Sequence, residues 1–283
     1  MDKRLEMLRK DYKDIPIPKE LDRIVAQALQ EKPKKKKRPV WPASVAAAAL
    51  LFTATVNFSP EAAQAMSKIP LVKELVEVVT FNEFKEEKGN ASIDVKTPAI
   101  TGLDNQALED NLNQKYVEES QKLYEEFAKS AAAENGHFSM NSEYEKVTES
   151  PEILSVRRTI QRTQASGYIQ NRYVTIDKEN EVLITLKGLF KNGQYVPVIS
   201  ENIKEQMKQQ MAADPNKIYW VSENEIEPFT QINPDQPFYI NQDHKLVISF
   251  DEYEAAPGYM GPVEFIIPTA VISDLLVGER YIR

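Results

Sequence analysis

Side chains that could do chemistry are scarce in this sequence, and their spacing argues against catalysis. Only His137 and His244 are present, and neither has a second metal-ligand type close by at a ligating interval; His244 sits in the polar run Asn241-Gln-Asp-His-Lys245, which reads as a turn ahead of a strand. Cysteine is absent, so a disulfide framework, a thiolate metal site and a cysteine nucleophile are all excluded. A Ser-His-Asp triad is hard to build from two isolated histidines. No glycine-rich phosphate loop occurs. The paired carboxylates Glu86-Glu87, Glu118-Glu119 and Glu125-Glu126 fall in helical or linker stretches, where a solvated face explains them better than glycosidase-type acid and base. The expectation is a binding protein and not an enzyme, with no metal, no cofactor and no nucleic-acid partner.

Two turns carry residue types suited to contact. Ala165-Ser166-Gly167-Tyr168 interrupts two strand-like runs, and Ala256-Pro257-Gly258-Tyr259-Met260-Gly261-Pro262 joins two more. In the second, Pro257 and Gly258 suit a tight turn that would present Tyr259 and Met260 outward. Tyrosine offers a large contact area at small entropy cost, which is why it anchors many interfaces. An ordinary hairpin whose tyrosine folds back on its sheet would use the same residues. A third short pattern, Ala63-Gln64-Ala65, is the small-x-small signal that signal peptidase accepts; cleavage would fall after Ala65, ahead of Met66.

The elements that must position these residues begin with a membrane anchor. Val40–Phe58 contains no ionisable group and at 1.5 Å per residue spans roughly 28 Å, close to a hydrocarbon core of ~30 Å. Six basic residues between Lys32 and Arg38 abut its N-terminal side and Glu61 follows it, the positive-inside arrangement that leaves the N-terminus in the cytoplasm. The formal charge of −8 conceals an asymmetry: residues 1–38 hold 13 Lys and Arg against 7 Asp and Glu, a net of +6, and residues 59–283 hold 22 against 36, a net of −14. The outer part should therefore attract cationic partners.

Residues 1–38 are too few to bury a core of their own. Pro18 suits a first helical position, and Leu21, Ile24, Val25, Ala28 and Leu29 follow on one face, with Leu5, Leu8 and Tyr12 offering an earlier apolar stripe. Such helices can fold into a partner's groove, or lie on anionic lipid.

Beyond the anchor, Ile69, Val72, Leu75, Val76 and Val79 have the spacing of a short amphipathic helix, and Ala91–Lys96 alternates as a strand. A long helix is expected from the cap Asp104, with the core stripe Leu108, Leu112, Tyr116, Leu123 and Phe127. Strands are expected near 138–148, 153–163, 168–176 and 182–186, where Val156, Arg158, Ile160 and Arg162 suggest one apolar and one basic face. A second helix over Val198–Ala212 carries Ile199, Ile203, Met207 and Met211, and Pro215 ends it. Strands near 238–240, 246–253 and 263–267 and a short helix near 270–276 follow. The expected architecture is α+β: N-terminal cytoplasmic helices over 1–38, a transmembrane helix over 39–58, a juxtamembrane segment over 59–85 with the signal peptidase site, and an extracytoplasmic domain over 86–283 of antiparallel sheet packed with helices, divisible at 86–190 and 191–283.

Six stretches give the chain a resemblance: Met1-Asp-Lys-Arg-Leu5, Ile17-Pro-Lys-Glu-Leu21, Ala62-Ala-Gln-Ala-Met-Ser-Lys-Ile-Pro70, Asn90-Ala-Ser-Ile-Asp-Val-Lys-Thr-Pro98, Ile203-Lys-Glu-Gln-Met-Lys-Gln-Gln-Met211 and Leu276-Val-Gly-Glu-Arg-Tyr-Ile-Arg283. Through them it resembles the lysozyme-sensing anti-sigma factors of Gram-positive bacteria that restrain sigma V. The resemblance implies that residues 1–38, through Leu5, Leu8, Tyr12, Leu21, Ile24, Val25 and Leu29, hold an extracytoplasmic-function sigma factor. It also implies that lysozyme binds outside, that signal peptidase cuts at Ala63-x-Ala65, that an intramembrane site-2 protease cuts near Ala46–Ala49, and that the sigma factor is freed. Its lysozyme contacts match Ser166, Gly167 and Tyr168 and the loop Pro257, Gly258, Tyr259 and Met260. Gly167 departs from the serine expected there, leaving only backbone to form that hydrogen bond. The outer domain also resembles the non-catalytic portion of certain peptidoglycan deacetylases, without their metal-binding His and Asp motif. The rival class is a wall-binding module or peptidoglycan-modifying enzyme, anchored or secreted.

Overall fold

The computed structural model describes residues 76–132, 137–222 and 227–283. The fold is α+β, as the element pattern predicts. Among the described residues no helix is long and apolar enough to cross a membrane, and the apolar run over 39–58 lies outside them.

Six strands form the first sheet: β1 (Glu77–Lys88), β2 (Ala91–Thr101), β3 (Phe138–Glu149), β4 (Ile153–Gln164), β5 (Ser166–Asp177) and β6 (Val182–Ile184), side by side in chain order. Every neighbouring pair is antiparallel except β2–β3. The expectation of a purely antiparallel sheet therefore needs correction. A helix, α1 (Gln106–Ala132), crosses over between β2 and β3, and a crossover of that length returns the chain in the parallel sense.

The expected amphipathic helix cannot run to Val79, because from Glu77 onward the chain is strand; Ile69, Val72 and Leu75 lie outside the described residues. Val78, Val79 and Thr80 are β-branched and pair with Ile100, Ala99 and Pro98 of β2; pairing with a long neighbour outweighs a helical spacing built on five apolar residues. The turn closes at Gly89, whose φ of +62° lies in the left-handed region that glycine adopts without penalty. The sheet thus extends upstream of residue 86, and the expected boundary between 85 and 86 falls inside β1.

The stripe expected on α1 packs as read: Leu112, Tyr116, Leu123 and Phe127 are buried. The N-cap is Asn105 in place of Asp104, its Oδ1 accepting the Leu108 amide at 3.2 Å. Beneath the helix lies a buried cation. Val156, Arg158, Ile160 and Arg162 do not divide into two faces, because two-residue steps along a strand put all four on one face. Val156, Arg158 and Ile160 are accordingly buried. The Arg158 guanidinium donates to Ser142 Oγ (2.8 Å), Ser120 Oγ (2.7 Å), the Tyr116 carbonyl (3.3 Å) and Glu119 Oε2 (3.3 Å). Those bonds offset the desolvation of the charge and tie α1 to β3 and β4.

The second half holds α2 (Tyr195–Ala213), a three-stranded antiparallel sheet of β7 (Phe238–Ile240), β8 (Leu246–Phe250) and β9 (Val263–Ile267), and a short turn of helix, α3 (Thr269–Ile272). Ile199, Ile203 and Met207 of α2 have no exposed surface and share a core with Ile248, Phe250 and Phe265 of the sheet and with Ile153 and Ile184 of the first sheet. The helix starts at Tyr195, ahead of the expected Val198, since Pro197 fits a first turn where no amide partner is needed. β8 stops at Phe250, short of the expected Tyr253, and the three residues after it turn back toward β5.

Candidate ligand-contact surface

The β4–β5 hairpin is tight: Gln164 pairs with Ser166, Thr163 with Gly167 and Arg162 with Tyr168. Ala165 makes the turn with a φ of +64°, a conformation that costs a residue with a Cβ on the order of 1–2 kcal/mol. Ser166 is exposed, and a Cβ built on Gly167 would meet nothing within 4 Å. At Ala165–Gly167 this tip is held by strand register, and Ser166 is exposed.

The Pro257–Gly261 segment is built differently. Gly258–Met260 forms one 3-10 turn, closed by Gly261 at φ +62°. Tyr259 points outward and is 66% exposed, while its hydroxyl donates to the Asn216 carbonyl at 2.8 Å. Met260, expected to point outward with it, does the reverse: it packs on the core, and its sulfur accepts the Ile218 amide at 3.3 Å. A 3-10 turn places consecutive side chains about a third of a revolution apart, so the two cannot share one face. A Cβ at Gly258 would overlap the phenol end of Tyr253, which would have to move aside.

Tyr253 joins the two loops. Its ring stacks on Tyr168 with centroids 6.5 Å apart and planes at 26°. The residues before it bind β5 through charged hydrogen bonds: Asp251 Oδ1 accepts the Asn171 amide at 2.8 Å, Glu252 Oε2 accepts the Ile169 amide at 2.8 Å, and the Glu252 amide donates to the Ile169 carbonyl at 3.1 Å. Arg172 closes on Asp251 at 3.0 Å. Charge-assisted bonds of this kind fix geometry as well as adding energy. The Tyr168 hydroxyl is pushed above the ordinary phenol range by burial and by the nearby Asp251, so it stays protonated.

A second seam fastens the two sheets behind this face. Glu264 of β9 accepts from Tyr173 (2.8 Å), Tyr239 (3.0 Å) and Arg157 (3.3 Å), and the two tyrosine rings stack at 5.3 Å. Burial, then Glu264, pushes Tyr239 up to about 12. Both hydroxyls therefore remain donors near neutral pH, and β5 is rigidly placed along its length.

Beside Tyr168 and Tyr253 runs an open groove of about 670 Å³ that includes Asp235, Asp251, Glu252 and Glu254 in its lining, with Arg172 as its one cation. Tyr168 of the first turn and Tyr253 line this acidic groove, and Gly258 of the second turn lies against the Tyr253 ring. Ser166 and Gly167 adjoin Tyr168 in sequence, Pro257 and Tyr259 adjoin Gly258, and Met260 packs on the core. Leu5, Leu8, Tyr12, Leu21, Ile24, Val25 and Leu29, and Ala63, Ala65 and Met66, lie outside the described residues. Sequence reasoning missed Tyr253, Asp251 and Glu252. Their run reads as the end of a strand, and nothing local signals that their partners lie on β5.

Comparisons with known proteins match this two-part construction. Residues 84–161 match the family described as deacetylase PdaC, and residues 187–270 match DUF3298, a protein family of unknown function. Among solved structures, a DUF3298 family member from Bacteroides fragilis aligns with a TM-score of 0.50 at 15% identity, covering 73% of this chain and 95% of its own. A second, from Pseudomonas aeruginosa PAO1, aligns with a TM-score of 0.53 at 12% identity, covering 72% of this chain and 95% of its own. At such identities the likeness is one of fold. The anti-sigma-V factor RsiV of Bacillus subtilis strain 168 is 63% identical over 285 residues, covering 100% of both chains.

Proposed function

Because this chain belongs to the family of the anti-sigma-V factor RsiV, we propose that its anti-sigma role is carried out by a membrane-anchored receptor that releases its sigma factor when lysozyme binds outside the cell. Its role is regulatory and not enzymatic. In this reading residues 1–38 mask an extracytoplasmic-function sigma factor with the apolar stripes Leu5, Leu8, Tyr12 and Leu21, Ile24, Val25, Leu29. Residues 39–58 cross the cell membrane with the N-terminus inside. The sheet and α2 lie outside. Lysozyme binding leads to a signal peptidase cut between Ala65 and Met66, then to an intramembrane site-2 protease cut, and the cytoplasmic fragment lets go of the sigma factor.

The observation that supports this best is the convergence of Ser166–Tyr168 and Pro257–Tyr259 on one face, beside a groove with four carboxylates and one guanidinium. A basic lysozyme would be steered to such a face, with an association rate that falls as salt rises. The test is cleavage of the full chain in membranes that contain signal peptidase. Lysozyme should accelerate the cut after Ala65 and lead to recovery of free sigma factor; equal cutting with and without lysozyme would reject the receptor role.

The match of residues 84–161 to the PdaC model favours a second reading, a wall-binding module on the same anchor. Co-purification separates them: a sigma regulator brings down a sigma factor through residues 1–38, and a wall module sediments with peptidoglycan.

A further inference from the structure

Tyr253, between the two contact loops, combines three features that do not otherwise belong together. Its φ is +66°, left-handed backbone that is rare for a bulky residue and that clusters at functional sites. Its neighbours hold it there from both sides: Asp251 and Glu252 are bonded to the backbone of β5, and Ala255 and Ala256 are buried in the core. Yet 46% of the residue remains exposed, so burial does not repay the strain.

The surroundings are shaped to its ring. One face stacks on Tyr168, and the phenol end occupies the space that any side chain at position 258 would need. Tyr168, Tyr253 and the Gly258–Tyr259 turn are therefore continuous. Among the described residues the Tyr253 hydroxyl has no hydrogen-bond partner that shapes this arrangement, and the contacts that do are made by the ring.

We infer that Tyr253 is a further ligand-contact residue, an aromatic platform that joins the two loops into a single surface, and that its occupant is a basic lysozyme. The occupant rests on the proposed receptor reading. Continuity with both contact loops and the negative charge beside the ring argue for it. Aromatic anchors at the centre of an interface carry a disproportionate share of binding energy.

The chain has no cysteine, so Tyr253→Cys installs a unique thiol. In full-length protein in detergent, saturating egg-white lysozyme should slow maleimide labelling at position 253 about tenfold or more. Leu183→Cys is the control. Leu183 is 44% exposed and pairs with Ile176, roughly 26 Å along β5 from Tyr168 at ~3.3 Å per residue, and its labelling rate should not change. Equal labelling at 253 with and without bound lysozyme overturns the inference. Absence of any complex with the unsubstituted chain overturns the receptor reading instead. Should Tyr253→Cys itself fail to hold lysozyme, two further variants decide. An affinity loss of about tenfold in Tyr253→Ala at unchanged melting temperature, restored in Tyr253→Phe, supports direct contact; a loss that tracks a lowered melting temperature overturns it.

Discussion

The two contact loops achieve fixed shapes by opposite means. The 164–167 tip is defined from within its own ladder: register sets the turn, Ala165 absorbs the strain, and a Cβ on Gly167 would have free space around it. The 257–261 turn is defined from outside. Met260 packs on the core, Tyr259 is tied to Asn216, and Gly258 is pressed against the ring of Tyr253, five positions earlier. One loop should accept a new side chain with no rearrangement, and at Gly258 the other should accept one only by moving Tyr253. Two loops on one face can thus evolve at different rates while presenting a single surface.

Substitutions can break or sharpen that contrast. Gly258→Ala should have the largest effect on the shared surface, because the added methyl must displace the phenol end of Tyr253. The displaced atoms are the far end of a half-exposed side chain, so stability, read as the melting temperature, should fall by no more than about 1 kcal/mol, while lysozyme binding should weaken because the Tyr253 ring has moved. Tyr259→Ala should leave the fold intact but weaken lysozyme binding by about 2 kcal/mol, roughly 30-fold in Kd; an unchanged constant by calorimetric titration would place the contact elsewhere. Ala165→Gly should raise stability by about 1 kcal/mol by relieving left-handed backbone, with binding unaltered. Gly167→Ser is expected to change stability by less than about 0.5 kcal/mol, since a Cβ there touches nothing. If instead Gly167→Ser proved as damaging as Gly258→Ala, the distinction between the loops would fail.

Much of the scaffold was legible because it follows simple periods. The stripe Leu112, Tyr116, Leu123 and Phe127 repeats as a helix must, and Ile199, Ile203 and Met207 do the same on α2. The turns at Ser166 and Pro257 were marked by their glycines and proline. What failed had its cause elsewhere in the chain. Ile69, Val72, Leu75, Val76 and Val79 fit a helical spacing, but the β-branched run Val78–Thr80 has β2 as a partner, and local spacing does not reveal that. Arg158 reads as a surface charge until Ser120, Ser142 and the Glu119 carboxylate arrive from a helix and a neighbouring strand. Tyr253 reads as the last residue of a strand. Its strained backbone follows from carboxylates that grip β5, some 80 residues earlier, and no pattern within the run announces that.

β1 is an edge strand, bonded to β2 on one side only and joined through Glu77 to everything that precedes it. A tug transmitted along the chain from that direction loads the Glu77–Thr101 rung first. Hydrogen bonds met singly part like the teeth of a zip, at far smaller force than bonds that must shear together. Mechanical release of β1 would strip β2 of a neighbour and leave the remaining five strands standing. If force is applied across the β1–β2 ladder from the N-terminal side, optical-trap extension should reveal a low-force step before the main unfolding event.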